Sequence, residues 1–289
     1  MKNYKRYLTR RGYHPNSVKG YSNALQNFFN WCEAQSIKPR KVTLEQLYDY
    51  QSDLRNNGYA ISTMRERIVA ISHYYRHIRR TINPALLVKT EKQERRLPKG
   101  LIDEDLLLEM YLGVLPKSLT QQRNKCMLGF LIFQAVKRSE LELLELEHID
   151  FTNNRVLISG STVTNDRYIS IHPAQKRDLE EYVYQLRDQL VIEANYKKTS
   201  KLFFSLGVSS YIGNSLNLMI KDILLAYPYF RTLTQVRESR ITIWVKKYGI
   251  RKAQYLSGIR YASSVLRYKR SNTEQLKQKI AIIHPMEKL

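Results

Sequence analysis

The chain has 289 residues, 43% hydrophobic and 26% charged, which is the balance of a globular protein long enough for two modest domains. Its formal net charge of +22 points to a polyanionic partner, nucleic acid first. No run approaches the roughly 18 apolar residues of a membrane span, and the start, MKNYKRYLTRRGYHP, lacks the apolar core of a signal peptide. Cys32 and Cys126 stand far apart, and six scattered histidines lack the spacing of a zinc set. These features predict a cytoplasmic protein without metal or cofactor, its thiols buried and reduced.

Residues 1–90 read as a helical domain. Lys2 to Arg11 is a short basic helix, stopped by Gly12 and Pro15. Asn16 or Ser17 is placed to cap a helix through Ala34, whose Val18, Tyr21, Leu25, Phe28, Phe29 and Cys32 recur at helical spacing. Thr43 opens T-L-E-Q, a capping box, before a helix through Leu54. Ser62 is expected to cap a fourth helix to about Thr81, with Met64, Ile68, Ile71, Tyr75 and Ile78 on one face. This region carries sixteen Lys and Arg against five Asp and Glu. The fourth helix alone presents Arg65, Arg67, Arg76, Arg79 and Arg80 among Tyr74, Tyr75 and His77. A solvated basic face is the plain reading of one such helix. The excess across the whole bundle favours phosphate contacts instead.

Residues 91–100, EKQERRLPKG, read as a linker. A second domain, 101–289, opens with a helix capped by Asp103 and carrying Leu106, Leu107, Met110 and Tyr111. Gln121 to Ala135 is strongly apolar (Met127, Leu128, Phe130, Leu131, Phe133) and is expected to be the central core helix. Arg155–Ser159 and Arg167–Ile171 alternate as two strands about a turn at Thr164-Asn165-Asp166. Pro173 starts a helix to about Ala194, Leu202–Ser205 reads as a short strand, and Asn214–Leu225 as a helix. From Thr232 a helical stretch carries Arg237, breaks at Tyr248-Gly249, resumes through Leu256 and stops at Gly258. A last helical turn then presents Tyr268 among Arg267, Lys269 and Arg270. After Ser271-Asn272-Thr273, Leu276, Ile280, Ile282 and Ile283 form an apolar stripe suited to a final helix, docked on its own domain or on a neighbouring protomer. The fold class expected is mainly α with a small antiparallel sheet.

Two stretches carry a family resemblance. Ala135-Val136-Lys137-Arg138-Ser139-Glu140-Leu141 resembles G-L-R-x-S-E-L, the first box of the tyrosine recombinases. Thr234-Gln235-Val236-Arg237, Leu256-Ser257-Gly258-Ile259 and Tyr268 are similar to their H-x-x-R, L-G-H and Y, with nine residues from Ile259 to Tyr268 as in that family. The run Gly258-Ile259-Arg260-Tyr261-Ala262-Ser263-Ser264 is similar to G-H-R-Y-x-S-S of integrases from bacterial mobile elements. The resemblance implies a helical, SAM-like core-binding domain followed by an α+β catalytic domain, acting on double-stranded DNA in the nucleoid as a homo- or hetero-oligomer joined through the C-terminal helix. It implies that Tyr268 attacks a phosphodiester and makes a covalent 3′-phosphotyrosyl link, while Arg237 and Lys137 balance charge on the phosphate oxygens. Arg65, Arg67, Arg76, Arg79, Arg138, Arg167 and Arg260 are the expected DNA contacts.

Four positions depart from the family pattern. Lys137 stands where a first arginine is usual, and a lysine lacks the bidentate fork. Thr234 and Ile259 replace histidines, and Val163 falls where the hairpin lysine belongs, with Arg167 the nearest cation. Losing a general acid costs about a hundred- to ten-thousandfold in rate. The sequence thus leaves two readings: a recombinase of weakened activity, or a DNA-binding or architectural subunit of the same fold that works with an active partner. A basic RNA-binding protein lacks a supporting motif such as an aromatic RNP strand.

Overall fold

The computed structural model describes residues 1–91, 97–161, 164–195, 199–206 and 212–269. The chain divides into two units, Met1–Arg95 and Arg96–Leu289, each built on its own apolar core. Part of the expected linker (92–96), Val163, and the C-terminal stripe beyond residue 269 lie outside the described residues.

The first unit contains α1 (Lys2–Arg10), α2 (Pro15–Ala34), α3 (Leu44–Asn56) and α4 (Ile61–His77), then a 3₁₀ turn at Pro84–Leu86. Its core gathers Leu8, Leu25, Phe28, Cys32, Leu47, Ile68, Ile71 and Tyr75. Burying each such side chain is worth roughly 1.5–3 kcal/mol, and this holds α2 against α4. Thr43 caps α3 in the capping box read from sequence, with reciprocal bonds to Gln46. Two other caps differ from expectation. His14, not Asn16 or Ser17, caps α2 by accepting the Asn16 amide on Nδ1, because Pro15 takes the first helical position. Helix α4 starts at Ile61 behind Ala60 without a side-chain cap, so Ser62 lies inside the helix.

The second unit opens with α5 (Glu104–Leu112) and α6 (Leu119–Phe133), which Ser118 caps. Helix α6 is buried on nearly every side, as its unbroken apolar run demands. Helix α7 (Arg138–Leu141) and a 3₁₀ turn (Leu146–His148) lead into an antiparallel sheet ordered β1 (Ile149–Asp150), β2 (Arg155–Ile158) and β3 (Arg167–Ser170). Val156 and Ile158 pair with Ile169 and Arg167, and this face of the sheet is the buried one. Helices α8 (Pro173–Glu181) and α9 (Arg187–Glu193) join through a π turn at Tyr182–Leu186. The expected strand at Leu202–Ser205 is instead irregular chain, with one bridge from Lys201 to Glu145. Side chains satisfy its carbonyls. Tyr182 donates to Leu202, Arg123 to Phe204 and Arg187 to Lys201, which removes the acceptors a ladder needs.

Helices α10 (Gly213–Ala226) and α11 (Leu233–Ser257) complete the core, and Thr232 caps α11. Gly249 interrupts α11 with φ 78° and ψ 174°, a conformation open to glycine alone without strain. Gly258 ends it at φ 68°, and a built Cβ there would stand 2.6 Å from Arg167 Nη1. The last helix among the described residues, α12 (residues 262–269), carries Tyr268.

Candidate active site

The site is assembled on a buried ion pair. Glu140, in α7, accepts two hydrogen bonds of 2.9 Å from the Arg167 guanidinium of β3, and both side chains are sealed from solvent. Arg167 also donates to the Leu256 carbonyl (3.0 Å) at the end of α11. One side chain therefore ties β3, α7 and the end of α11 together. Glu140 Oε2 accepts the Lys137 amide as well (2.8 Å), so the carboxylate fixes the start of α7. Burial raises the Glu140 pKa, but the Arg167 bonds outweigh it and hold the carboxyl below the usual range.

Arg237 projects from α11 onto this base. It donates to the carbonyls of Ala135 and Ser257, the latter at 2.8 Å, and Nη1 lies 3.9 Å from Glu140 Oε2. Ala135 holds a left-handed φ of 48°, uncommon outside glycine, in the position where the resembled box has glycine. Burial pulls the Arg237 pKa down to about 10, with Glu140 opposing, Arg167 adding to the fall and the Tyr268 phenol opposing it. It remains cationic at neutral pH. Lys137 is half-buried, and its pKa is lowered by burial, then by Arg237, with Glu140 opposing and Arg167 adding to the fall. Lys137 and Arg237 thus both act electrostatically with Glu140, and Tyr268 acts on Arg237.

Tyr268 is 2% exposed. Arg267 donates to its phenol oxygen (2.6 Å), stacks its guanidinium 4.7 Å from the ring centre, and bridges to Glu238 of α11 at 3.1 Å. The nucleophile expected from sequence is held inside this contact rather than presented at the surface. Thr234 is exposed, and half-buried Ile259 pairs with Thr164 across a single bridge, packing against the core.

The expected DNA-contacting arginines separate into two groups. Arg65, Arg76, Arg79 and Arg260 are exposed. Arg65 and Arg76 lie eleven residues apart on the solvent face of α4, and Arg260 donates to the Ser161 carbonyl. Arg167 does not belong with them, because its guanidinium is buried and occupied by Glu140. Strand alternation carries the signal: with Ile169 inward, residue 167 faces inward too. Arg67 lies half-buried, 4.1 Å over the Tyr59 ring. Arg138 is half-buried and donates to the Gly213 carbonyl and to Asn217. Glu140, which the sequence marked only as a member of the first box, emerges as the site's organiser. Among the described residues no cluster of His, Cys, Asp and Glu suits a metal, and no helix is long and apolar enough to cross a membrane.

A helical bundle followed by a mainly helical unit with a three-stranded antiparallel sheet is the fold class expected from the sequence. Residues 1–82 match the model of the phage integrase N-terminal SAM-like domain. Tyrosine recombinase XerC of Bacillus licheniformis is 27% identical over 207 residues, 67% of each chain. XerD of Vibrio vulnificus is 28% identical over 156 residues, 52% of this chain and 50% of its own. The chain thus spans between half and about two thirds of these relatives. Among solved structures, the XerH site-specific recombinase bound to palindromic difH substrate superposes with a TM-score of 0.76 (16% identity, 94% of this chain and 81% of that one). The Tn1549 transposon integrase, in complex with a circular intermediate DNA, gives 0.64 (14% identity, 96% and 98%). The chain is thus similar to the tyrosine recombinases, in sequence over half to two thirds of its length and in fold over nearly all of it.

Proposed function

We propose that this chain binds specific duplex DNA and breaks and rejoins it through a phosphotyrosyl link at Tyr268, at a rate reduced by the replacements at 137, 163, 234 and 259. The observation that carries this reading is the meeting of the Lys137 amide and the Arg237 guanidinium at Glu140, with Tyr268 within electrostatic reach of Arg237. Two cations beside a phenol suit a phosphodiester whose nonbridging oxygens gain charge as phosphorus is attacked. The exposed arginines of α4 supply sequence-independent grip on the backbone. The described relatives and neighbours are recombinases and integrases, several of them solved on DNA, which supports the same substrate class. Assembly on DNA as a homo- or hetero-oligomer, with the C-terminal apolar stripe as the joint, belongs to this proposal, as do the domain limits of 1–90 and 101–289 and an intracellular, nucleoid location.

The second reading, an architectural subunit acting with an active partner, draws on the burial of the Tyr268 phenol under Arg267. One experiment separates the two. Randomised duplexes are enriched for binding, and the winning duplex is nicked near its centre so that cleavage is trapped. A covalent protein–DNA band with the wild type, absent with Tyr268→Phe, establishes the recombinase. Salt-sensitive binding with no adduct establishes the subunit.

A further inference from the structure

We propose that Lys137 delivers the proton to the departing 5′ oxygen, so that one side chain both balances charge on the phosphate and acts as the acid. The inference rests on the recombinase reading above. Expelling an alkoxide needs a proton donor, and the Arg237 guanidinium is committed to the Ala135 and Ser257 carbonyls instead. Among the described residues gathered at Arg237, the remaining groups are otherwise engaged. Glu140 is buried and ionised against Arg167, and Tyr268 is the nucleophile. Valine at position 163 carries no proton to give. Lys137 is half-exposed at the start of α7, its amide pinned to Glu140. No hydrogen bond or ion pair with a described residue uses its ammonium, in contrast to Arg237, which is committed to two carbonyls.

The charged groups within electrostatic reach of Lys137 are Arg237 from α11, Glu140 from α7 and Arg167 from β3. Burial and the two arginines ease release of its proton, in line with the role. The step balances. Tyr268 Oη bonds to phosphorus as the P–O5′ bond breaks, and the electron pair leaves on O5′, which takes the Lys137 proton. The phenol proton passes through solvent to the neutral amine. Rejoining reverses each transfer: the 5′-hydroxyl attacks, Lys137 takes its proton, and Tyr268 departs and is reprotonated.

The test uses the full chain and the duplex selected for binding, made with oxygen or with bridging sulfur at the 5′ side of the mapped scissile phosphate. A thiolate leaves without a proton. Single-turnover adduct formation is measured for wild type, Lys137→Gln and Lys137→Arg. Both variants are expected to lose about 10²- to 10⁴-fold on the oxygen duplex and to return to within about tenfold of wild type on the sulfur duplex. Equal loss on both duplexes overturns the inference, as does oxygen cleavage by Lys137→Arg at the wild-type rate, since charge alone would then suffice. A wild type that forms no adduct on either duplex instead refutes the recombinase reading and the inference with it.

Discussion

Replacing Arg167 with methionine tests the foundation of the site. The guanidinium is wholly buried, gives two 2.9 Å bonds to a carboxylate that is 1% exposed, and gives a third to the Leu256 carbonyl. Its removal leaves Glu140 charged in the interior with only the Lys137 amide and the more distant Arg237 guanidinium, 3.9 Å away, to compensate it. Breaking a buried pair from one side costs about 3–5 kcal/mol, or about two to four powers of ten in the unfolding constant. The chain has two tryptophans, Trp31 in the first unit and Trp244, 6% exposed, in the second. In a Trp31→Phe background, urea unfolding followed by fluorescence reports the second unit alone. Arg167→Met is expected to move that transition by the stated amount. Adding Glu140→Gln, which keeps an acceptor for the Lys137 amide, is expected to restore about 2 kcal/mol or more. A single variant within about 1 kcal/mol of wild type, or a double variant no better than the single, would refute the assignment of Glu140 and Arg167 as the frame.

Acid titration gives a second check. The Glu140 pKa is depressed in the folded state, so its stabilisation is complete above the ordinary glutamate value of 4.5 and is lost as pH falls below it. Wild type should therefore lose stability through that range more steeply than Glu140→Gln, and parallel curves would count against the pair. Gly258→Ala places a Cβ at positive φ and 2.6 Å from Arg167 Nη1, so it should destabilise the second unit by about 1 kcal/mol or more in the same urea assay. On the first unit, Arg65→Ala with Arg76→Ala should reduce the slope of log affinity against log salt by about 2, one per lost phosphate contact. Arg67→Ala should leave that slope unchanged, because its guanidinium sits over Tyr59; a flattened slope would return Arg67 to the DNA face.

Much of this architecture was legible because the signals are local. The Thr43–Gln46 capping box, the alternation of β2 and β3, and the breaks at Gly249 and Gly258 each need only neighbouring residues. The order and spacing of Lys137, Arg237 and Tyr268 also survive in one dimension. What escaped depends on partners distant in sequence. Glu140 and Arg167 meet across 27 positions, so an arginine read as a surface cation proved to be buried. Arg67 had a ring eight positions away to stack on, and composition does not say which arginines are so engaged. The irregular chain after Lys201 looked like a strand because its side chains are apolar, while its carbonyls are taken by Tyr182, Arg123 and Arg187. Burial of Tyr268 is likewise invisible locally, since Glu238 reaches Arg267 from 29 residues away.

The most direct measurement is the location of the covalent bond. The trapped protein–DNA complex is digested with protease and nuclease, and the peptide carrying the residual nucleotide is sequenced by mass spectrometry. With 21 tyrosines in the chain, attachment at Tyr268 is the expected result, lost when Arg237 is changed to alanine. Attachment at any other residue, or a Tyr268 peptide free of nucleotide in every complex, would contradict the account.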